Sequence, residues 1–245
     1  MCFGLSSVIK LFKSGNVLVC GLRGTGKDML LSNVVARRKS PYVSNIDYRC
    51  KSSEFISLDL NSLDIKNTYK NFVSGEVVPY SYPYPERSDI YISDAGVYFP
   101  SQFERELCRE YPSMPVFQAL SRHLGDCNFH CNVQNINRLW DKIREQSDTY
   151  ILCNWCRVFF GLVVMKVTIY DKYQSCVDRV KPYKPLRVPL LAKQEAKATL
   201  QQTNAMLKNK YDNEYGSVKS RVLIFRNLSS YDTRLFKTLL GGSYE

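Results

Sequence analysis

The stretch Gly21-Leu22-Arg23-Gly24-Thr25-Gly26-Lys27-Asp28 follows the short apolar run Asn16-Val17-Leu18-Val19-Cys20, and few folds accommodate that succession. Glycine, four residues, glycine and lysine is the spacing of a phosphate-binding loop between a buried strand and a helix. Gly21, Gly24 and Gly26 permit backbone angles barred to other residues, so the loop can turn its N–H groups inward around an anion. A helix starting near Lys27 aims the positive end of its dipole at the same point, with the Arg23 and Met29 amides flanking it. Lys27 adds a point charge for the terminal phosphates. These features predict an α/β fold with nucleotide at the carboxyl end of the first core strand.

Asp28 stands where a hydroxyl usually ligates magnesium. A carboxylate also suits that hard cation, though it sets a negative charge beside the phosphates. The plain alternative is a glycine turn in which Asp28 caps the helix.

A second constellation lies in Asp89-Ile90-Tyr91-Ile92-Ser93-Asp94-Ala95-Gly96. An apolar strand ending in an acid, downstream of a phosphate loop, is where magnesium is held or attacking water polarised. Asp94 is the candidate for either role, with Ser93 as a hydroxyl ligand, against the alternative of an Asp-Ala-Gly turn. Residues 127–135 alternate as a strand and end in Gln134, an amide placed to sense the γ-phosphate or hold a water. A plain surface amide fits the spacing equally well. Arg122 and Arg144 are candidates for an arginine offered to a neighbouring subunit's site, or for a solvated basic face.

Within 245 residues, 34 Lys and Arg stand against 23 acids, a net charge of +11 that favours an anionic partner such as nucleic acid or a membrane face. Hydrophobic residues at 44% exclude wholesale disorder. Nine cysteines and a start without a basic segment and long apolar core suggest reduced thiols in a cytosolic compartment. Cys153 and Cys156 have a zinc half-site gap, with Cys127, His130 and Cys131 upstream, but both groups sit in strand-like stretches where cysteine packs as a small apolar residue. The longest apolar run, residues 158–165, is far short of the roughly 20 residues that span a bilayer and reads as a buried strand.

Along the rest of the chain, residues 8–13 form an amphipathic turn and residues 29–36 a helix. Strands are expected at 42–46 and 55–58, a modest helix at 61–73, and a surface loop at the Tyr/Pro-rich residues 79–85. Two helical patterns follow in 101–125. From Tyr150 the texture changes: runs at 155–171 and 175–182 suggest a β-ribbon closing the sheet, then come a polar helix at 190–211, a segment at 222–225 and a short terminal helix. Residues 1–150 are thus read as the nucleotide-binding core, and 151–245 as a ribbon and helical extension packed on or beside it.

Taken in order, the loop at 21–28, the strand Tyr42-Val43-Ser44-Asn45-Ile46, the strand Ile92-Ser93-Asp94-Ala95-Gly96 with Phe99-Pro100, and Ser121-Arg122-His123-Leu124-Gly125-Asp126 leading to Gln134 resemble the zonular occludens toxin-like ATPases of filamentous phages. Tyr231-Asp232-Thr233-Arg234-Leu235-Phe236 is similar to related phage proteins. The resemblance implies a RecA-like P-loop NTPase with a mostly parallel sheet flanked by helices. It implies ATP and Mg2+ as ligands, a homo-oligomeric ring, and hydrolysis during phage extrusion. It further implies a place in the bacterial host cytoplasm or against the inner membrane, with single-stranded DNA or coat proteins as partners. The family usually has Ser or Thr at position 28 and an Asp-Glu pair at 93–94. On that pattern Asp94 takes the catalytic glutamate's place and Ser93 that of the magnesium-coordinating aspartate. A DNA-packaging or conjugation-type translocase, and a nucleotide-binding scaffold without turnover, are the alternatives.

Overall fold

A computed structural model describes residues 4–63, 82–187 and 194–228. Its centre is one eight-stranded sheet. The strands are β1 (Val17–Cys20), β2 (Tyr42–Ser44), β3 (Phe55–Ser57), β4 (Asp89–Ile92), β5 (Phe129–Val133), β6 (Thr149–Phe159), β7 (Leu162–Tyr170) and β8 (Val218–Arg226). They lie in the order β3-β2-β4-β5-β1-β6-β7-β8. β1 to β6 pair in parallel, whereas β6, β7 and β8 form an antiparallel meander. Parallel strands need helices on both faces, and this sheet has them.

On one face lie α1 (Leu5–Ser14) and α2 (Lys27–Arg38); Leu5, Val8 and Phe12 of α1 and Leu30, Leu31 and Val34 of α2 cover Val17, Val19, Tyr91 and Ile151. The remaining helices are α3 (Ala95–Tyr98), α4 (Glu104–Glu110), α5 (Met114–Gly125), α6 (Asp141–Glu145), α7 (Tyr173–Val177) and α8 (Gln194–Tyr215). On the opposite face Phe99, Leu107, Phe117, Trp140 and Ile143 pack over Leu18, Ile90, Ile92 and Phe129. The alternation of Val17 and Val19 with Leu18 and Cys20 between the two cores is the period of two that a strand imposes. All five residues of β5 are buried, as befits a strand in the middle of a parallel sheet.

Several expectations change. The 175–182 run is not a strand: α7 closes at Val177, and coil follows. The ribbon is β6 and β7, turned at Phe160-Gly161, and the 222–225 segment widens into β8, its third strand. Position 150 falls inside β6, which pairs with β1, so the ribbon continues the sheet. Of the helix at 61–73 only a 3-10 turn, Leu60–Leu63, falls among the described residues, and the terminal helix lies outside them. Tyr82, in the Tyr/Pro stretch, is half-buried and stacks on Phe117.

Candidate functional site

Six parallel strands point their carboxyl ends at one rim, where ligands of open α/β sheets sit. β5 lies between β1 and β4, with Cys20 opposite Val133 and Ile92 opposite Cys131. This register brings the residues that follow each strand to one level: the glycine loop after β1, Asn45 after β2, Ser93 and Asp94 after β4, and Gln134 after β5.

The loop has the predicted backbone. Gly21, Gly24 and Gly26 have φ of 150°, 79° and 88°. At Gly26 a Cβ would come within 2.6 Å of the Cys156 Cβ, whereas at Gly24 it would meet nothing within 4 Å. Gly26 is therefore required by both conformation and space, and Gly24 by conformation alone. The Thr25 hydroxyl donates to the Leu22 carbonyl at 2.7 Å, and the buried Lys27 Nζ donates to the same oxygen at 3.3 Å. Arg23 is exposed, and Met29 turns its side chain into the packing beneath α2, leaving its backbone N–H as its means of meeting an anion.

Asp28 is the hinge of the site. Its Oδ1 accepts hydrogen bonds from the Ser93 hydroxyl at 2.8 Å and from Asn132 Nδ2 at 2.6 Å, and Asn132 Nδ2 also reaches the Ser93 Oγ at 3.2 Å. The other end of the Asn132 amide accepts from the Asp94 backbone N–H at 2.7 Å. From the far side, Asn45 accepts from the Ser93 N–H at 2.8 Å and donates to the Ser93 carbonyl at 2.9 Å. Helix α2, strand β4 and strand β5 are thus tied together through one carboxylate.

Asp94 is held in the left-handed region, at φ 48° and ψ 47°, a conformation that Asp tolerates better than most residues. Burial raises its pKa above the ordinary carboxylate value, and the Asp28 anion raises it further; Lys27 and a hydrogen bond from Gln134 oppose both. A carboxyl group under one cation, one anion and one amide is poised as a proton acceptor. Asp94 and Gln134 line a cleft of about 320 Å3 together with Leu22, Val97, Asn135 and Arg138.

The donor set fits magnesium. Phosphate-linked magnesium sites use one or two protein oxygens and leave the other positions to phosphates and water. A hydroxyl and a carboxylate 2.8 Å apart meet that need, with the hydroxyl supplied by the strand and the carboxylate by the helix. Among the described residues no group of three or more His, Cys, Asp or Glu side chains could cage a metal ion, so the cysteine spacings form no zinc site there.

The structure gathers Lys27, Asp28, Ser93, Asp94 and Gln134. It does not bring Arg144 or Arg122 to them. Arg144 is buried, paired with Asp141 at 2.7 Å and stacked 4.2 Å above the Tyr173 ring, so it is not free to enter a neighbouring subunit. Arg122 lies at the opposite rim, bonded to the Ser14 carbonyl and to Asn128. The exposed Arg138 lines the cleft in their stead, and Asn132 and Asn45 join the site unannounced. Arg138 follows Gln134 by four residues, and Asn132 precedes it by two on a strand of apolar neighbours, which are the signals that point to them.

The sequence matches no family model and no curated protein. Similar solved structures include the zonular occludens toxin N-terminal domain from Neisseria meningitidis, at 12% identity over 91% of this chain and 97% of that one, with a TM-score of 0.42. The genome-packaging NTPase B204 of Sulfolobus turreted icosahedral virus 2, in complex with AMP, is 16% identical over 57% of this chain and 75% of that one, at a TM-score of 0.37. EssC ATPases 2 and 3 from Geobacillus thermodenitrificans are 10% identical over 83% and 45%, at 0.38. Strand order, glycine loop and acid-bearing strand make the fold of this chain that of a P-loop NTPase.

Proposed function

We propose that the chain binds and hydrolyses ATP at the loop 21–28 and uses the turnover to move a polymer, as in the assembly and extrusion of filamentous phage from a bacterial host. The observation that carries the reading is the carboxylate of Asp28, bonded to Ser93 and Asn132, which sets Asp94 into the electrostatic reach of Lys27. Loop amides and Lys27 hold the β- and γ-phosphates. Asp28 and Ser93 would hold Mg2+, which supplies charge neutralisation between the phosphates. Asp94 accepts the proton of the attacking water, and Gln134, bonded to Asp94, relates its position to the γ-phosphate. Arg138 sets its positive charge where negative charge develops on the phosphate oxygens in the transition state.

Turnover that reorders subunits calls for a homo-oligomeric ring, with single-stranded DNA or coat protein as the moved polymer. The basic excess favours a second motor reading, a DNA-packaging or conjugation-type translocase. The exchange of residue types at 28 and 93 favours a nucleotide-binding scaffold.

Phosphate release by wild type, Lys27→Ala and Asp94→Asn, with and without single-stranded DNA, decides among them. Asp94→Asn is expected to keep ATP binding and lose about 100-fold or more in turnover. Binding with no release above the Lys27→Ala level in wild type would establish the scaffold. DNA-stimulated turnover that falls steeply with salt would establish the translocase.

A further inference from the structure

β1 ends at Cys20, opposite Leu152, yet β6 continues to Phe159 and returns as β7. The hairpin therefore stands out beyond the nucleotide rim. Its foot closes on the glycine loop: Cys153 faces Gly21, and Cys156 with Met165 faces Gly26. An irregularity in register between Cys153 and Trp155 re-aims the outer half. The turn Phe160-Gly161 has φ of 46° and 76°, the conformation of a tight hairpin.

The β6–β7 tip is apolar, with Arg226 and Asn227 of the neighbouring strand running beside it. Phe160 at the apex is fully exposed, and Val158, Phe159 and Leu162 are exposed by 51%, 56% and 39%. Val158 lies across from Val163 and Phe159 from Leu162, so Val158 leaves the face on which Val163 is already buried, and Phe159 with Leu162 the other. Exposed cations flank the tip at three levels: Arg226 of β8 lies across from Leu162, Arg157 is next to Val158, and Lys166 stands farther down β7, across from Trp155. Neither 149–170 nor 218–228 contains a single Asp or Glu. A base-stacking platform or a protein groove needs one apolar face. An apex with exposed apolar side chains on both faces, flanked by cations and no acids, matches a bilayer surface, where acyl chains surround the tip and lipid phosphates meet the cations.

We propose that the β6–β7 hairpin is a peripheral membrane anchor. It dips Val158, Phe159, Phe160 and Leu162 into the headgroup–acyl boundary of a bilayer containing anionic lipid, while Arg226, Arg157 and Lys166, spaced along the hairpin, reach lipid phosphates on their flexible stems. Because the hairpin rises from the glycine loop, the docked chain presents its nucleotide rim to the membrane.

Flotation of the full chain with phosphatidylcholine vesicles, with and without phosphatidylglycerol, tests this. The chain has two tryptophans; Trp140 is buried, so a blue shift on vesicle binding reports Trp155. Wild type should float with the phosphatidylglycerol vesicles and shift its emission. Phe159→Ser/Phe160→Ser should weaken binding about tenfold or more by removing exposed apolar area. Arg157→Gln/Arg226→Gln should lose about fivefold or more of the preference for anionic lipid. All four side chains are exposed, so melting of both variants should match wild type. Absence of wild-type binding, or equal binding by the serine variant, would overturn the anchor. So would a blue shift that follows protein concentration without vesicles, which would assign the tip to a second copy, or competition by a single-stranded oligonucleotide for Trp155.

Discussion

At the residue scale the chemistry turns on where one hydroxyl and one carboxylate sit. Asp28 on α2 and Ser93 after β4 exchange the residue types usual at those places, and because they touch at 2.8 Å the pair still offers one of each. This makes Asp28→Ser/Ser93→Asp the informative variant. Asp28→Ser alone should lose most of the Mg2+-dependent gain in ATP affinity, having left two hydroxyls in the pair and no carboxylate there, whereas the double exchange should restore it. Titration with a fluorescent ATP analogue, with and without Mg2+, measures both. Asp94 adds a pH signature. Its raised pKa means that it loses its proton above the usual range near 4, so the acid limb of turnover should lie at higher pH than an unperturbed aspartate gives. That limb should vanish with Asp94→Asn.

At the scale of the element, the strand–loop–helix unit separates two glycines that look alike in sequence. Gly24→Ala meets only the backbone penalty of about 1–2 kcal/mol. Gly26→Ala meets the same penalty and also drives a methyl to 2.6 Å from Cys156 on β6, so it should lower the melting temperature and ATP affinity more than Gly24→Ala. A melting and binding comparison of the two variants would check this. The loop was legible in the sequence because its glycines and lysine act within eight residues of one another. Asn132 was not, since its partner Asp28 is 104 positions away, nor Asn45, which is 48 positions from Ser93. A ribbon was legible after Tyr150, but its strands were not: the 155–171 run folds into the end of β6, the turn and β7, 175–182 is helix and coil, and the third member, β8, lies beyond α7 and α8 and showed only a fragment of its length.

Across the whole molecule, the far rim carries a buried charge cluster that the nucleotide site does not use. Asp89 forms an ion pair with Arg38 and accepts from the Asn128 N–H at 2.9 Å, while His130 Nε2 lies 3.7 Å from it. Burial opposes the Asp89 charge, but His130 and Arg38 outweigh it and hold the carboxyl below its ordinary value. Burial pushes the His130 pKa down, against the pull of Asp89, and the ring's Nδ1 accepts from the Val17 N–H at 3.2 Å. Both groups bind protons more readily in the unfolded chain. Stability should therefore fall on acidification, first as pH drops below about 6.5 through His130 and then below about 4 through Asp89. Asp89→Asn should cost about 3 kcal/mol by leaving Arg38 unpaired, read from denaturant melts at neutral pH. No helix among the described residues is long and apolar enough to cross a membrane.

What the sequence determined by itself was the local machinery: a buried strand, a loop that only glycines can close, a lysine at a helix start, and an acid at the end of a second strand. Short-range sterics and charge dictate each of these. Which distant side chains meet was decided by tertiary structure. The insertion of β5 between β1 and β4 sets Asn132 under Asp28 and Ser93, and the same sheet order leaves Arg122 and Arg144 outside the cleft and Arg138 in it. Strand order and register arise from pairings far apart in the chain, and no local pattern of residues encodes them.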